Sequence, residues 1–180
     1  NIREDRLRAY LRLSGYSKKL IDGAVTQLVK AADDMTHGLY DANQNVYRLL
    51  RYGAKVKETP EGAPKTVYFM DVNEPTNNDF AIAEEVTVVE RQEKRPDLVI
   101  YVNGIAMAII ELKKSSVSVS NGIRQNLTNQ KDGFIAPFFT TMQFCMAGNE
   151  TEGLRYGTIL TGEKYYMEWK PDGFHENEDE

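Results

Sequence analysis

Three side chains near the middle of this 180-residue sequence could do chemistry together: Asp97, Glu111 and Lys113. They lie in the segment Arg95-Pro96-Asp97-Leu98-Val99-Ile100-Tyr101-Val102-Asn103-Gly104-Ile105-Ala106-Met107-Ala108-Ile109-Ile110-Glu111-Leu112-Lys113. Two carboxylates can hold a hard divalent cation, which neutralises a phosphodiester and lowers the pKa of bound water. An ammonium beside them can orient that water and offset the charge growing on the phosphate. Phosphodiester hydrolysis needs this set of groups. A plainer explanation stands beside it, because Glu-x-Lys at a strand end is usually a solvated edge. The surrounding residues favour the chemical reading. Strands apolar on both faces are usually covered, and charges there are costly unless they answer one another or hold a metal.

The elements that position these groups follow from the same segment. Pro96–Val102 and Ile105–Lys113 read as strands flanking Asn103-Gly104, a strong two-residue hairpin signal. Period-2 alternation puts Glu111 and Lys113 on one face. A plain two-residue turn pairing Val102 with Ile105 would set Asp97 opposite Ile110, with Glu111 on the other face. A bulge at Gly104 or an odd loop shifts the register by one and brings Asp97 to the face of Glu111. The chemistry therefore requires an irregular hairpin.

Around it, Ile2–Leu13 and Ser17–Asp33 read as amphipathic helices, with Ser17 as N-cap. A third helix runs from Asp41 to about Arg51 and is stopped by Gly53. Residues 57–65, with Pro60, Gly62 and Pro64, form a loop. Strands are expected at Thr66–Val72, at Asp79–Glu90 (long or bent), and later at Phe139–Ala147, Gly157–Leu160 and Tyr165–Trp169. Asn121–Asp132 reads as a helix between them. Helices, strands, one helix and more strands imply a mixed α/β domain with a central sheet flanked by helices. It would occupy residues 1–170, mainly helical over 1–53 and sheet-rich over 66–169, with an acidic tail at 171–180.

Composition narrows the chemistry. Hydrophobic residues at 41% and charged residues at 27% describe a soluble globular chain. The apolar run Ile105–Ile110 is too short to span a membrane. A single cysteine, Cys145, permits no internal disulfide and fits a reducing cytoplasm. With only His37 and His175, a zinc site is not expected, so a catalytic metal would sit on carboxylates and carbonyls, which suits magnesium or manganese. The net charge is −5, and Glu176, Glu178, Asp179 and Glu180 account for four of those charges, leaving −1. A near-neutral domain can act on DNA if another part of the molecule supplies the grip. The start at Asn1 and the acidic end suggest a piece of a longer protein.

The segment from Asp97 through Asn103-Gly104 to Glu111-Leu112-Lys113 resembles the PD-(D/E)xK nucleases. More narrowly, it is similar to the N-terminal nuclease domain of the restriction (R) subunit of type I restriction–modification enzymes. Val46-Tyr47-Arg48-Leu49-Leu50-Arg51-Tyr52-Gly53 and Asp71-Val72-Asn73-Glu74-Pro75-Thr76-Asn77-Asn78-Asp79-Phe80 carry the likeness beyond the motif. It covers about Leu39 to Trp169.

The resemblance implies a magnesium-dependent DNA endonuclease in which Asp97, Glu111 and the Leu112 backbone carbonyl bind the metal, Mn²⁺ serving as substitute, and Lys113 serves the water. It also implies a Gln-x-x-x-Tyr motif on the next helix. Gln125 matches its first position, and Asn129 departs from its last. Further implied are double-stranded DNA as substrate, methyltransferase and specificity subunits as partners, and ATP used only by a translocase in the full-length protein. A different PD-(D/E)xK role, such as a repair nuclease or resolvase, is one alternative. A non-catalytic domain holding DNA or a partner is another, which the intact Asp97/Glu111/Lys113 set argues against.

Other features have structural and functional readings side by side. Arg124 and Lys131 could meet phosphates or be solvated helix charges. Asp71 and Asp79 read as turn-formers more than as ligands. Tyr165, Tyr166 and Trp169 read as sheet core or cover, with stacking on DNA the lesser reading. Glu4 or Asp22 could offer the site a helical carboxylate. Gly157–Lys164 has the glycine spacing of a phosphate loop but lacks Gly-Lys-Ser/Thr, and reads as two strands and a turn.

Overall fold

Helices form at the N-terminus because apolar residues recur there at helical spacing. The computed structural model describes residues 1–170 and contains α1 (Glu4–Leu13), α2 (Lys18–Asp33) and α3 (Leu39–Tyr52) in that stretch. Ser17 caps α2, its hydroxyl accepting from Leu20 N at 3.4 Å. Gly53, at φ 74°, ends α3 in a conformation that disfavours other residues. Ile2 lies outside α1: it bridges to Ile105, so the chain enters the helix from the sheet.

The strands that follow are shorter than the sequence pattern suggests. β1 (Ala54–Val56) and β2 (Lys65–Val67) pair as a separate ribbon, and residues 68–72 leave the sheet. The expected long strand at 79–90 is broken into β3 (Phe80–Glu84) and β4 (Val88–Val89), because Glu85 adopts φ 50°. β4 pairs with β5 (Glu93–Lys94). β6 (Leu98–Val102), β7 (Ile105–Leu112), β8 (Phe144–Asn149), β9 (Gly153–Gly157) and β10 (Met167–Glu168) complete the set.

Among the described residues six strands form one mixed sheet in the order β10-β9-β8-β7-β6-β3. All pairings are antiparallel except β7 with β8, which are joined through α4 (Val119–Asn129). The expected strand at 139–147 begins only at Phe144, since Ala136–Thr141 form a 3-10 helix. Leu160 takes φ 58° and Glu163–Tyr165 form another 3-10 turn, so 157–164 holds one strand end and turns. The acidic tail at 171–180 lies outside the described residues. No helix of the described chain is long and apolar enough to cross a membrane.

One core joins α1, α2 and α3 to the β1–β2 ribbon and the start of β7 through Leu7, Leu28, Val46, Val56, Val67 and Ile105. A second lies under one face of the sheet, with Val99, Tyr101, Ile109, Phe139, Met142 and Cys145. The hairpin turn links the two regions. Gly104, at φ 80°, packs so closely on α1 that a Cβ there would sit 2.6 Å from the Arg3 carbonyl. Asn103 is fully buried and donates to Phe69 O at 2.9 Å and Asn78 Oδ1 at 2.8 Å.

Candidate active site

The register of the β6–β7 hairpin decides whether the charged residues can meet. Asn103 and Gly104 both have positive φ and pair Val102 with Ile105 in a tight two-residue turn. The irregularity that the chemistry requires is present, but it sits further up the strand than Gly104. Tyr101 pairs with Ala106 and Ile100 with Ala108, so Met107 is an extra residue bulged out of the ladder. Beyond it Leu98 faces Ile110, which brings Asp97 across from Glu111 on the same sheet face. Asp97 is held there by its neighbours: its Oδ2 accepts from Leu112 N at 2.7 Å, and its carbonyl accepts from Glu85 N at 2.8 Å.

Glu111 is fully buried, beneath α4. Gly122 allows the helix this close: a Cβ at that position would lie 3.4 Å from both Glu111 Cβ and its carbonyl, and 2.9 Å from Ala147 Cβ. One turn further along α4, Gln125 reaches down. Its Nε2 donates to Glu111 Oε2 at 2.6 Å, while its Oε1 accepts from Lys113 Nζ at 2.8 Å. The ammonium is thereby held 4.0 Å from the same Glu111 oxygen. Burial pushes Glu111 up to about 8, the Asp97 charge adds to the rise, and Lys113 opposes it.

The other Glu111 oxygen, Oε1, is buried without a hydrogen-bond partner. A buried carboxylate oxygen left bare beside a second carboxylate suits a cation. Among the described residues no group of three or more His, Cys, Asp or Glu side chains could hold a metal. An ion at Asp97 and Glu111 would therefore complete its shell from a backbone carbonyl and water, as magnesium does. The residues fit the group.

The end of α4 nearest the site is clamped by the β8–β9 turn. Glu152 Oε1 accepts from Val119 N at 2.9 Å, and Asn149 Nδ2 donates to Val117 O at 2.8 Å. Beside Lys113 a cleft of about 740 Å³ opens between Lys114, Ser115 and Ser116 on one side and Gly148, Asn149 and Glu150 on the other.

The structure thus brings Asp97, Glu111, Lys113 and Gln125 together and leaves other candidates apart. Glu4 and Asp22 both pair with Arg8, and α1 starts beside the hairpin tip at the far end of β7 from Glu111. Arg124 donates from Nε and Nη2 to the Glu163 carboxylate, at 2.7 and 2.9 Å. Asp71 is a turn-former, accepting from Asn73 N and Glu74 N, and Asp79 pairs with Arg6. Asn129 is buried and takes no part in the Glu111–Gln125–Lys113 chain of hydrogen bonds. Tyr166 packs against the core and Trp169 lies over the sheet against Phe144 and Tyr156, so these two fit core and cover, whereas Tyr165 is exposed. Gly122, Asn149 and Glu152 were not foreseen. A glycine inside a helical pattern hints at close packing, but nothing local marks Asn149 or Glu152.

A mixed sheet presenting an acid at one strand and Glu-x-Lys on the next, with a helix packed across them, is a fold of the PD-(D/E)xK kind. The sequence model of the type I restriction enzyme R protein N terminus matches residues 1–164, and the chain belongs to that family. It is 33% identical over 160 residues, 84% of its length, to the type I restriction enzyme HindI endonuclease subunit of Haemophilus influenzae. It is 28% identical over 132 residues, 69% of its length, to the putative type I restriction enzyme MjaIXP endonuclease subunit of Methanocaldococcus jannaschii. The matched regions span 15% and 12% of those subunits.

Proposed function

We propose that this chain is the nuclease domain of a type I restriction enzyme R subunit and hydrolyses DNA phosphodiester bonds with magnesium. The observation that carries the reading is the buried Glu111, with one oxygen bare beside Asp97 and the other tied through Gln125 to Lys113. Asp97, Glu111 and the Leu112 carbonyl would hold the cation, with manganese able to replace it. When bound, the cation supplies Lewis acidity and a more acidic water.

The chain's own groups have distinct tasks in this mechanism. Gln125 fixes the Glu111 carboxylate and places the Lys113 ammonium at once, so neither must reorganise during reaction. Lys113 orients the attacking water and offsets charge on the phosphate. α4, seated through Gly122, keeps bulk water from Glu111. The motor that consumes ATP lies outside these residues, and the methyltransferase and specificity subunits supply the sequence choice.

The test uses the full-length subunit assembled with its partners. Asp97→Ala, Glu111→Ala and Lys113→Ala each abolish nicking of circular DNA while ATP hydrolysis continues. Wild-type nicking in any one of them refutes the assignment.

A further inference from the structure

The two faces of the main sheet are unlike. The face carrying Glu111 is covered by α4 and the Ala136–Thr141 turn. The other carries apolar residues on all six strands, with Glu84 at its β3 edge, and apart from its hairpin end has no described element packed on it. The register places Ile82, Ile100, Ala108 and Phe144 in one row across it, and Leu98, Ile110, Met146, Tyr156 and Met167 in the next, with Glu84 at that row's β3 end. Ile82 is 68% exposed, Phe80 60%, Met167 56% and Leu112 49%. At the β10 side Trp169, Tyr156 and Phe144 stack edge-on, with ring centres 5.5 to 6.4 Å apart. Ile82, Ile100, Ile110, Phe144 and Trp169 belong to neither of the two cores. Scattered exposed apolar residues are ordinary, whereas a contiguous face of them marks an interaction surface.

We propose that this face is a docking surface for the polypeptide that follows residue 180 in the longer subunit, which lays the apolar side of a helix across it. Three observations select that occupant. The matched relatives are several times longer than this chain, and the family describes an N terminus, so most of their length follows the matched region. The last described residues lie on this face: Trp169 N bonds to Leu154 O, and its ring joins the aromatic cluster. Residues 171–180 contain five acidic residues and offer mainly Phe174 as apolar cover, so the covering segment comes from beyond them. Ten residues span at most about 35 Å, and six strands are about 24 Å across, so a helix beginning there reaches any part of the face. The surface needs neither metal nor cleavage, and its test is independent of the nuclease reading.

Hydroxyl-radical footprinting, read by mass spectrometry, compares this 180-residue chain with the full-length subunit. Phe80, Ile82, Met167 and Trp169 are expected to react several-fold more slowly in the full-length protein. A photo-crosslinking residue at position 82 of that protein captures a peptide from beyond residue 180 of the same chain. Equal reactivity in the two forms overturns the proposal. So does capture of a second copy or of another subunit, or protection of the 180-residue chain that grows with its concentration.

Discussion

With divalent cations chelated, Glu111→Gln removes a pH dependence from folding, and its sign follows from which state holds the proton. An ordinary glutamate titrates near 4.5, whereas burial, and after it the Asp97 charge, pushes Glu111 up to about 8. Between those values the folded protein binds a proton that the unfolded chain does not. The stability of the wild type relative to the glutamine variant is therefore fully present below pH 4.5 and is lost as pH rises through about 8. At about 1.4 kcal/mol per pH unit, the interval sets a ceiling of about 5 kcal/mol on that loss. Urea unfolding of both proteins at pH 5, 6, 7, 8 and 9 measures it. Taking the difference between the two cancels every group that titrates in common. The wild type is expected to weaken steadily against the variant up to pH 8 and then hold level. Parallel stability curves from pH 5 to 9 would show that Glu111 ionises normally and that its burial exerts no strain.

Three further outcomes follow from the same geometry. Millimolar magnesium or manganese at pH 8 raises the melting temperature of the wild type, because the ion binds the folded state, and leaves Glu111→Ala unchanged; equal shifts in calorimetry refute metal binding at this pair. Gly122→Val drives a branched side chain into Ala147 and Glu111, at a cost of about 1–3 kcal/mol in chemical denaturation. An unaffected midpoint means that α4 does not need this contact. The isolated 180 residues, with 22 basic against 27 acidic side chains, bind duplex DNA no more tightly than about 10⁻⁴ to 10⁻⁶ M in a calcium-supported titration at physiological salt. Nanomolar binding would reveal a grip of their own.

Much of the site was legible in the residues themselves. The apolar strands, the Asn-Gly turn and the alternation that puts Glu111 and Lys113 on one face are local properties, set by the pleat and by turn stereochemistry. They were enough to show that a regular hairpin could not bring Asp97 to Glu111 and that an irregularity was needed. Its position was not local. Gly104 was the natural candidate, but its positive φ serves the tight turn and the approach of α1. The extra residue is Met107, whose side chain finds cover against the helical core. The strands at 66–72, 79–90 and 139–147 are shorter than their apolar pattern suggests, because an apolar sequence does not say where hydrogen-bonding partners end. The raised Glu111, the Gln125 bridge and the clamp of Asn149 and Glu152 on α4 depend on groups that the parallel β7-α4-β8 crossover brings together from distant positions. Sequence supplied the groups and the condition for their meeting; burial and register, which exist only once the sheet is formed, decided how they meet.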